Sequence, residues 1–582
     1  MRQPAPLPPE APLDMPVQGL DGIPPGARAV DTRPQGLLVK RLLLIGLTAV
    51  ISLAASSELR ASLSGDGLGA FDVALLLFFV PLFSWLAFGF VSSAIGFWRL
   101  ISGGHPGFVQ IPAPRAPLAR RTAVLMPIYN ESVEATFGRV RAMTKAIADA
   151  GGAGQIDFFV LSDSGAHNGP AEEAAWRAVA ATAPIPVYYR RREQNIARKP
   201  GNIAEWVRRF GGAYECMLVL DADSIMSGQA IVGMAAVMEA RSSIGLLQTV
   251  PKIVNAHTFY QRWMRFAAEA YGPIASAGLL WWAGSEGNFW GHNAILRTRA
   301  FAESCGLPEL PGKPPFGGHI QSHDMVEAAL LRRRGWAVHM VMITGSYEEF
   351  PPNLVDNAIR DRRWMQGNLQ HLRLLGAAGL SATSRLHFFI GATAYLTSPG
   401  WLLLLLTTIA QAATGKPAMP LAIGPYVLAL TVVLLFGPKA MGLVWMLASA
   451  QRRRDFGGVG AILRSVLADV VLAMLQAPVT MVMQTKALVA LVLGIPSGWH
   501  TQNREAQRIP LRLILPDLRE QLALGLLFAA TGLFSPITAV WLIPLTAGLL
   551  LSPWLISLSS SEELGARAAR LNLFTAPPPD FD

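Results

Sequence analysis

Carboxylate side chains follow short apolar runs at three places in the chain. Residues 123–128 precede Tyr129, Asn130 and Glu131, residues 158–161 precede Asp163, and residues 217–220 precede Asp221 and Asp223. Positions i and i+2 of an extended segment project to the same face, so Asp221 and Asp223 can point at one target. Two neighbouring carboxylates repel each other unless a divalent cation lies between them, and Mg²⁺ or Mn²⁺ completes such an oxygen shell with substrate phosphates. The D-A-D triplet therefore predicts a Mg²⁺ or Mn²⁺ site for a diphosphate, with two turn aspartates as the alternative.

Two predicted helix starts carry residues that suit a phosphate and a proton transfer. Lys199 lies in Arg-Lys-Pro-Gly-Asn, before a predicted helix over residues 202–209, where free backbone N–H groups and positive charge suit a diphosphate. An exposed basic turn is the alternative. Asp324 opens an amphipathic stretch that runs to residue 331, either as a helix N-cap or as a general base for an acceptor hydroxyl. The local sequence leaves both functions of Asp324 open.

Two further segments combine aromatic side chains with hydrogen-bonding or basic ones. Their candidate ligand-binding residues are Trp290, His292 and Asn293 in the glycine-rich loop 284–293, and Arg362, Arg363 and Trp364 in the segment 360–368. Aromatic faces stack on sugars, while His and Asn side chains bond sugar hydroxyls. Arginines beside a tryptophan can hold a diphosphate and a sugar ring at a bilayer surface, or can simply anchor the chain there.

The elements around these residues have the pattern of a Rossmann-like α/β domain. Between residues 99 and 385, short apolar runs alternate with helical patterns, which indicates a largely parallel sheet. Ligands bind such sheets in the crevice at the carboxyl ends of the strands, where the candidate carboxylates fall. The sequence therefore predicts that one α/β domain positions all of these side chains.

The rest of the chain has the composition of a membrane protein. Hydrophobic residues make up 52% of the 582 residues and charged residues 15%, against about 25% in soluble proteins. Apolar runs long enough to span a bilayer cover residues 42–56, 71–97, 388–413, 421–448, 518–534 and 537–556. Basic residues at 40–41 and 452–454 favour cytoplasmic flanking loops, so we expect six or eight crossings, with the α/β domain and both termini cytoplasmic. Residues 462–494 are expected to form an interfacial helix, a re-entrant element or a tight double crossing.

These patterns divide the chain into five parts. We expect a disordered Pro-rich tail at 1–37, a transmembrane pair at 38–100, the α/β domain at 101–385, a transmembrane and channel region at 386–558, and a disordered tail at 559–582. The channel region includes the ambiguous segment 462–494 and a cytoplasmic loop at 495–517.

Composition and motifs also argue against several classes of protein. The two cysteines, Cys216 and Cys305, exclude a disulfide-built fold and a Cys-rich zinc module. The sequence has no Walker A pattern and no H-E-x-x-H motif, which argues against a P-loop ATPase and a metalloprotease. The net charge of +10 comes from basic membrane borders rather than a recognition motif, so we expect no nucleic-acid partner.

Taken in order, these motifs resemble the processive membrane glycosyltransferases of family 2. The match pairs Asp163 with the nucleotide aspartate, Asp221 and Asp223 with the metal-binding D-x-D, Asp324 with the base motif, and Arg362, Arg363 and Trp364 with Q-x-x-R-W. His323 and Arg360 depart from the general pattern, and with A-R-K-P-G-N and F-W-G-H-N-A they are similar to the osmoregulated periplasmic glucan glucosyltransferases. The resemblance implies a GT-A-type domain, UDP-glucose as donor, Mg²⁺ or Mn²⁺, and a linear β-1,2-glucan exported across the bacterial inner membrane.

The resemblance also implies a role for each candidate residue. The donor nucleotide would contact Tyr129, Asn130, Glu131, Asp163, Lys199, Asp221, Arg362 and Arg363. The metal would be held by Asp221 and Asp223, and the acceptor would contact Trp290, His292, Asn293 and Trp364. Asp324 would take the acceptor proton in a direct, inverting displacement. A loop with Trp499 and Arg504 would be a gating loop, or else a plain basic loop. Acyl carrier protein and a periplasmic glucan-processing protein are the implied partners, beside the bilayer.

Other functions stay open at this stage. Another processive synthase would make cellulose, chitin or hyaluronan, and a non-processive enzyme would act on a lipid phosphate carrier. A nucleotide-binding transporter or scaffold would bind without turnover. The complete acidic set favours an enzyme, because binding alone does not require Asp324.

Overall fold

The computed structural model describes residues 7–24, 34–64, 67–111, 117–415, 424–495 and 508–580. Within these ranges the strands are β1 Thr122–Ile128, β2 Ile156–Ser162, β3 Val187–Arg191, β4 Cys216–Val219, β5 Ile225–Met226, β6 Ile244–Thr249, β7 Lys252–Val254, β8 Ala294–Arg297, β9 Ala337–Val341 and β10 Ser346–Glu349. The α-helices are α1 Leu37–Leu63, α2 Ala70–Ile101, α3 Val133–Asp149, α4 Gly169–Ala180, α5 Arg198–Phe210, α6 Gly228–Ala240, α7 Phe259–Ala283, α8 Thr298–Ser304, α9 His323–Arg333, α10 Leu354–His371, α11 Ala382–Ala413, α12 Pro425–Leu447, α13 Ala450–Asp455, α14 Val459–Val492, α15 Leu511–Ile514, α16 Arg519–Ala530, α17 Pro536–Leu550, α18 Ser552–Ser559 and α19 Glu562–Arg570.

A seven-stranded sheet in the order β3-β2-β1-β4-β8-β6-β9 forms the centre of the α/β domain. β8 is antiparallel to both of its neighbours, and the other pairs are parallel. Alternate residues of β1 enter two different cores, because Val124 and Met126 pack with α3 and α6, while Ala123 and Leu125 pack with α5, α8 and α9. The strands read as continuous apolar runs because helices cover both faces of the sheet. The predicted α/β fold is confirmed.

A second, three-stranded sheet begins next to the D-A-D segment. β5 starts two residues after Asp223, pairs with β10 in antiparallel orientation, and β10 pairs in turn with β7. The segment that carries both aspartates is therefore joined to a strand from a distant part of the sequence. This junction brings the acidic residues of β10 towards the sheet edge where the predicted site lies.

Five helices in the described ranges, α1, α2, α11, α12 and α14, are long and apolar enough to cross a membrane. The pair α17 and α18 passes the same test as one span bent by 51°, which makes six. Leu38, Val50 and Leu53 of α1 are more than 60% exposed, as lipid-facing side chains would be. The chain is a membrane protein. Six candidate spans agree with the lower of the two predicted numbers of crossings.

Two of the predicted membrane segments need correction. Of the three alternatives for residues 462–494, the re-entrant element and the tight double crossing are wrong, because α14 is one continuous helix of 34 residues packed against α11, α12 and α17. At 1.5 Å per residue it is about 50 Å long, which exceeds the thickness of a hydrocarbon core. The apolar run at 518–534 is not one long helix, since α16 ends at Ala530 and gives way to a single 3₁₀ turn.

The prediction of disorder at the amino terminus is wrong for residues 7–24, which we call the N-terminal strap. The Ala11 N–H donates to the Arg209 carbonyl at 2.8 Å, and the Gln18 N–H donates to the Gly306 carbonyl at 2.8 Å. Met15 is buried in the core that contains α5, α8 and α9. The strap satisfies its polar backbone against loops of the α/β domain, so it needs no apolar periodicity of its own.

The prediction of disorder at the carboxyl terminus is also wrong for much of its length. Residues 562–570 form α19, whose N-cap Ser561 accepts from the Leu564 N–H at 3.3 Å. Phe574 is buried, and its ring lies 5.6 Å from the rings of Phe259 and Phe266 on α7. One large aromatic side chain therefore fixes a segment that is otherwise rich in proline.

Candidate active site

The D-A-D segment lies just beyond the carboxyl end of β4, where the sheet topology predicts a ligand crevice. The Asp221 N–H donates to the Ser224 Oγ at 2.9 Å, which closes a tight turn. The Asp223 side chain is buried, whereas that of Asp221 is 40% exposed. No three His, Cys, Asp or Glu side chains are grouped to hold a metal ion in the described part of the chain. A divalent cation on these two carboxylates would therefore need substrate oxygens to complete its shell.

Lys199 reaches the D-A-D segment from the start of α5. Its Nζ contacts the Asp221 carboxylate and donates to the Gly291 carbonyl at 2.7 Å. Ala197 and Arg198 both have a φ of 54°, so the chain enters α5 through two left-handed residues. Three segments that are far apart in the sequence thus meet at one ammonium group.

Asp324 lies in the first turn of α9 and adjoins the same loop. Ser322 occupies the N-cap position, so Asp324 is not the cap of this helix. Gly291 has a φ of 86°, and a Cβ added there would lie 3.4 Å from the Asp324 Oδ2. The backbone that binds Lys199 therefore packs against the candidate base. This placement favours the general-base interpretation of Asp324 over the N-cap interpretation.

Residues of α10 hold the start of α9 in place. The His371 Nε2 bonds the Ser322 carbonyl at 2.8 Å, and the Gln370 Oε1 accepts from the Gln321 N–H at 3.0 Å. Burial lowers the pKa of His371, which favours the neutral ring with its proton on Nε2. Gly367 leaves the two helices in contact, because a Cβ there would lie 2.5 Å from the Ser322 N. Sequence analysis missed these positioning residues, whose signal was their spacing on one helix face.

The residue before the base is also paired. His323 Nδ1 lies 3.0 Å from a carboxylate oxygen of Glu327, and both side chains are buried. Burial alone would lower the pKa of His323, but the neighbouring Glu327 carboxylate outweighs burial and raises it. This pair spans one turn of α9 and fixes the turn that carries Asp324.

Glu348 on β10 is a third carboxylate near the D-A-D segment, and sequence analysis missed it. Its Oε2 lies 3.3 Å from the His292 Nε2. Burial raises the pKa of Glu348, His292 opposes that shift, and the charges of Asp223 and Asp221 add to it. Negative charges gathered around a buried carboxyl group are the electrostatic setting that a bound cation relieves. The donor set at this crevice therefore fits a divalent cation.

Asp163 is held by an arginine that the sequence did not single out. Its two carboxylate oxygens accept from the Arg192 Nε at 2.6 Å and the Arg192 Nη2 at 2.7 Å, and both side chains are buried. Arg192 also donates to the Arg198 carbonyl at 3.1 Å, which ties Asp163 to the turn before α5. Such a bidentate pair fixes the carboxylate direction. The signal, three consecutive arginines at the end of β3, did not show which of them binds Asp163.

The residues after β1 organise the neighbouring loop. The Asn130 N–H donates to the Ser164 Oγ at 2.7 Å, and the Asn130 Oδ1 accepts from the Gly165 N–H at 3.2 Å. The Tyr129 N–H donates to the Glu131 carboxylate. These bonds join the loops that follow β1 and β2, so the predicted nucleotide-binding residues after both strands share one side of the crevice.

The predicted acceptor-binding loop divides into two parts. Asn293 is fully buried, and its Nδ2 donates to the Ser346 Oγ and the Tyr347 carbonyl, each at 3.0 Å. This position ties the loop to β10 instead of exposing an amide to a sugar. Trp290 and His292 are partly exposed, and they flank the glycine beside Asp324.

The arginine and tryptophan cluster lies on α10. The Arg360 guanidinium stacks 4.4 Å from the Trp364 ring, and Trp364 is 48% exposed. The Arg362 Nη2 donates to the Ile495 carbonyl at 3.4 Å. Arg363 is partly exposed on the same helix. The predicted gating residues Trp499 and Arg504 lie outside the described residues.

A cavity of about 410 Å³ lies among α7, α11, α12 and α14, which include three of the membrane helices. Its lining includes Trp263, Ser398, Trp401, Lys439, Asp469 and Gln476. Of three aromatic residues on the membrane helices, Tyr395, Trp401 and Trp445, the cavity is lined by Trp401. Tyr395 packs instead beside Met365 and Leu369, and the Trp445 ring lies 4.5 Å from the Arg452 guanidinium.

Comparison with known proteins places these features in a family. Residues 216–449 match the family described as "Glycosyl transferase family group 2". The glucans biosynthesis glucosyltransferase H of Xylella fastidiosa (strain 9a5c) is 40% identical over 98% of this chain and 93% of its own length. That of Rhodopseudomonas palustris (strain TIE-1) is 42% identical over 95% of this chain and 79% of its own. The solved mannosyltransferase PcManGT from Pyrobaculum calidifontis, in complex with GDP-Man and Mn²⁺, covers 72% of this chain with a TM-score of 0.44 and 12% identity. The chain therefore belongs to the glucans biosynthesis glucosyltransferase H family and is a membrane glucosyltransferase.

Proposed function

We propose that the chain transfers glucose from UDP-glucose to the end of a growing chain and so makes the linear β-1,2-linked backbone of osmoregulated periplasmic glucans. The observation that carries this proposal is the meeting of Asp221, Lys199, Gly291 and Asp324 in one crevice. A diphosphate site and a proton acceptor lie there side by side. The names of the relatives support glucose as the sugar that is transferred.

The donor diphosphate lies at the D-A-D segment in this proposal. Asp221 and Asp223 would hold Mg²⁺ or Mn²⁺, with Glu348 adding negative charge beside them. When bound, the cation offsets the charge that develops on the departing UDP. Lys199 binds the diphosphate when it exchanges its contact with Asp221 for a phosphate oxygen, and it keeps the Gly291 carbonyl as a second partner.

The remaining nucleotide and phosphate contacts come from loops at the same edge. Asp163, oriented by Arg192, binds the uridine, and Tyr129, Asn130 and Glu131 line the neighbouring loop. Arg362 and Arg363 on α10 bind the diphosphate from the membrane side. Arg362 contacts the carbonyl of Ile495. Trp499 and Arg504, which lie outside the described residues, are proposed as gating residues on the family resemblance alone.

Asp324 is the general base of the transfer step. The acceptor hydroxyl gives its proton to the Asp324 carboxylate while its oxygen forms a bond to the anomeric carbon. The bond between that carbon and the β-phosphate oxygen breaks at the same time, and UDP leaves with the electron pair. A single displacement inverts the anomeric centre, so an α-linked donor gives a β-linked product. Trp290, His292 and Trp364 bind the acceptor sugars, and Asn293 positions their loop.

In this proposal, the cavity among the membrane helices is part of the path by which the glucan crosses the membrane. Gln476, Thr480 and Gln484 are spaced by four residues along α14, and the Gln484 Nε2 donates to the Asp361 Oδ2 on α10 at 3.3 Å. This stripe leads from the arginine-bearing helix to the cavity beside Trp401. Its amides and hydroxyl replace water around a glucan, whose hydroxyls are costly to bury unpaired.

In this proposal the chain lies in the bacterial inner membrane, with the α/β domain and both termini in the cytoplasm. The basic residues at the ends of the predicted spans support that orientation. The cytoplasm supplies UDP-glucose, and the product leaves on the periplasmic side. Acyl carrier protein and a periplasmic glucan-processing protein are the proposed partners.

The variant Asp324→Asn tests the base directly. It keeps the size of the side chain but cannot accept the proton, so we expect the transfer rate to fall by about a hundredfold to ten-thousandfold. UDP binding with Mg²⁺, measured by titration calorimetry, should stay at the wild-type value. Asp149→Asn at the exposed end of α3 is the matched control. Transfer at the control rate would remove Asp324 from the base role.

A further inference from the structure

The loop that carries Gly291 is also bound to two membrane helices, at its other end. Arg41 of α1 pairs with Glu286 at 2.5 Å, and its Nε and Nη2 donate to the carbonyls of Trp282 and Ala283, each at 3.0 Å. All three contacts come from one guanidinium, which matches the fixed fork of its donors. The first membrane helix therefore holds the loop at the point where α7 ends and the loop begins.

The second attachment comes from the start of α11. The Thr383 Oγ1 donates to the same Glu286 carboxylate oxygen at 2.9 Å, and the His387 Nε2 bonds the Glu286 carbonyl at 3.2 Å. From α9, Arg332 donates to the Gly287 carbonyl and to the Ser384 Oγ. The helix that carries Asp324 is thus joined to the same loop and to the same membrane helix.

The electrostatics of this junction match its geometry. Burial would raise the pKa of Glu286, but Arg41 and the hydrogen bond from Thr383 outweigh burial and lower it. Glu286 therefore stays charged in its half-buried position against Arg41. Removing either residue would leave the other half-buried charge without its ion-pair partner, which is costly.

From this junction to the reacting groups the chain is short and tightly held. Four residues separate Glu286 from Gly291, whose carbonyl binds Lys199 and whose backbone packs against Asp324. Between them, the Gly287 N–H donates to the Val338 carbonyl at 2.8 Å, which restrains the backbone of this segment. A shift of the loop at its membrane end would reach the base and the phosphate-binding lysine together.

We propose that Arg41 and Glu286 are positioning residues. Through them, the geometry of glucose transfer depends on how the α/β domain packs against α1 and α11. Neither residue touches substrate. The inference rests on the proposed function, since it concerns the same transfer step, and it adds a requirement that lies outside the crevice. When this contact between the α/β domain and the membrane helices is disturbed, turnover falls although the nucleotide site is intact.

A double-mutant cycle on the full-length protein tests the proposal, with Arg41→Gln, Glu286→Gln and the double variant. Glucose transfer from UDP-glucose is measured in membrane vesicles, together with the thermal stability of the purified proteins in detergent. We expect each single variant to lower kcat by about tenfold to a hundredfold, with KM for UDP-glucose within about threefold of wild type. The double variant should lose no more than the worse single variant, because both remove one interaction.

Matched variants separate positioning from general damage. Glu173→Gln removes an exposed pair with Arg177 on α4 and should leave kcat unchanged. Thr383→Val removes one bond to Glu286 and keeps the ion pair, so it should lower kcat by a few-fold, at unchanged stability, even if the charge variants do not fold. Losses that multiply in the double variant, or a Thr383→Val enzyme with wild-type kcat, would overturn the proposal. Absence of transfer by the wild-type protein would instead overturn the proposed function.

Discussion

Replacing Gly367 by alanine should slow glucose transfer sharply without changing any residue assigned to substrate. An added Cβ on α10 would lie 2.5 Å from the Ser322 N and 2.7 Å from the Ser322 Cβ. The optimal separation of two non-bonded carbon atoms is about 3.5 Å or more, which exceeds the distance between the added Cβ and the Ser322 Cβ. One of the two helices must therefore move by about 1 Å. Ser322 is the N-cap of α9, two residues before Asp324, and so the base moves with it. A misplacement of about 1 Å costs on the order of a hundredfold in rate.

The assay compares initial rates of glucose incorporation by membrane vesicles that contain equal amounts of each variant. Gly138→Ala in the middle of α3 is the control, because nothing lies within 4 Å of a Cβ added there. Both substitutions raise helix propensity by about 1 kcal/mol, so only the clash differs. We expect kcat of Gly367→Ala to fall by about a hundredfold while Gly138→Ala matches wild type. A Gly367→Ala enzyme within about threefold of the control would refute the argument that α10 positions the base.

Two further perturbations probe the crevice and the strap. Glu348→Gln should raise the Mg²⁺ concentration that half-saturates transfer. The difference in that concentration between variant and wild type should shrink as the pH falls through the raised pKa of Glu348, because the wild-type residue then also loses its charge. A difference that does not change with pH would contradict this role of Glu348. Met15→Ala should destabilise the protein by about 2–5 kcal/mol, which would appear as a lower melting temperature in detergent. The control Ile23→Ala, at a position that is 71% exposed, should leave the melting temperature unchanged. Equal melting temperatures of the two variants would show that the strap does not contribute to the core.

The part of the site that could be predicted from sequence follows from strand geometry. Parallel strands bring their carboxyl ends to one edge, so the residues after β4 could be placed in a crevice without knowledge of the fold. Lys199 and Asp324 could be named because each lies at a helix start with a distinctive local motif. Their contact with one shared glycine could not be predicted, since it depends on the path of a loop.

The contacts that escaped prediction are made by the backbone or between distant segments. Arg192 binds Asp163 only because β3 lies beside β2, and three consecutive arginines give no sign of which one contacts that aspartate. Glu348 reaches the D-A-D segment through the pairing of β10 with β5. The N-terminal strap shows no periodic pattern because it attaches mainly through carbonyl and N–H groups. The sequence left three alternatives open for the segment of α14, because its 34 residues are too many for one ordinary span and too few for two spans with a turn.

The central claim is that this crevice transfers glucose from UDP-glucose into a polymer. The most direct test supplies inverted membrane vesicles with radiolabelled UDP-glucose or UDP-N-acetylglucosamine, with and without Mg²⁺, and includes a primer and carrier protein. The proposal predicts Mg²⁺-dependent incorporation of glucose into a water-soluble, cellulase-resistant polymer whose linkages are β-1,2. Incorporation of N-acetylglucosamine, a cellulase-sensitive product, or no incorporation despite measurable UDP binding would contradict it.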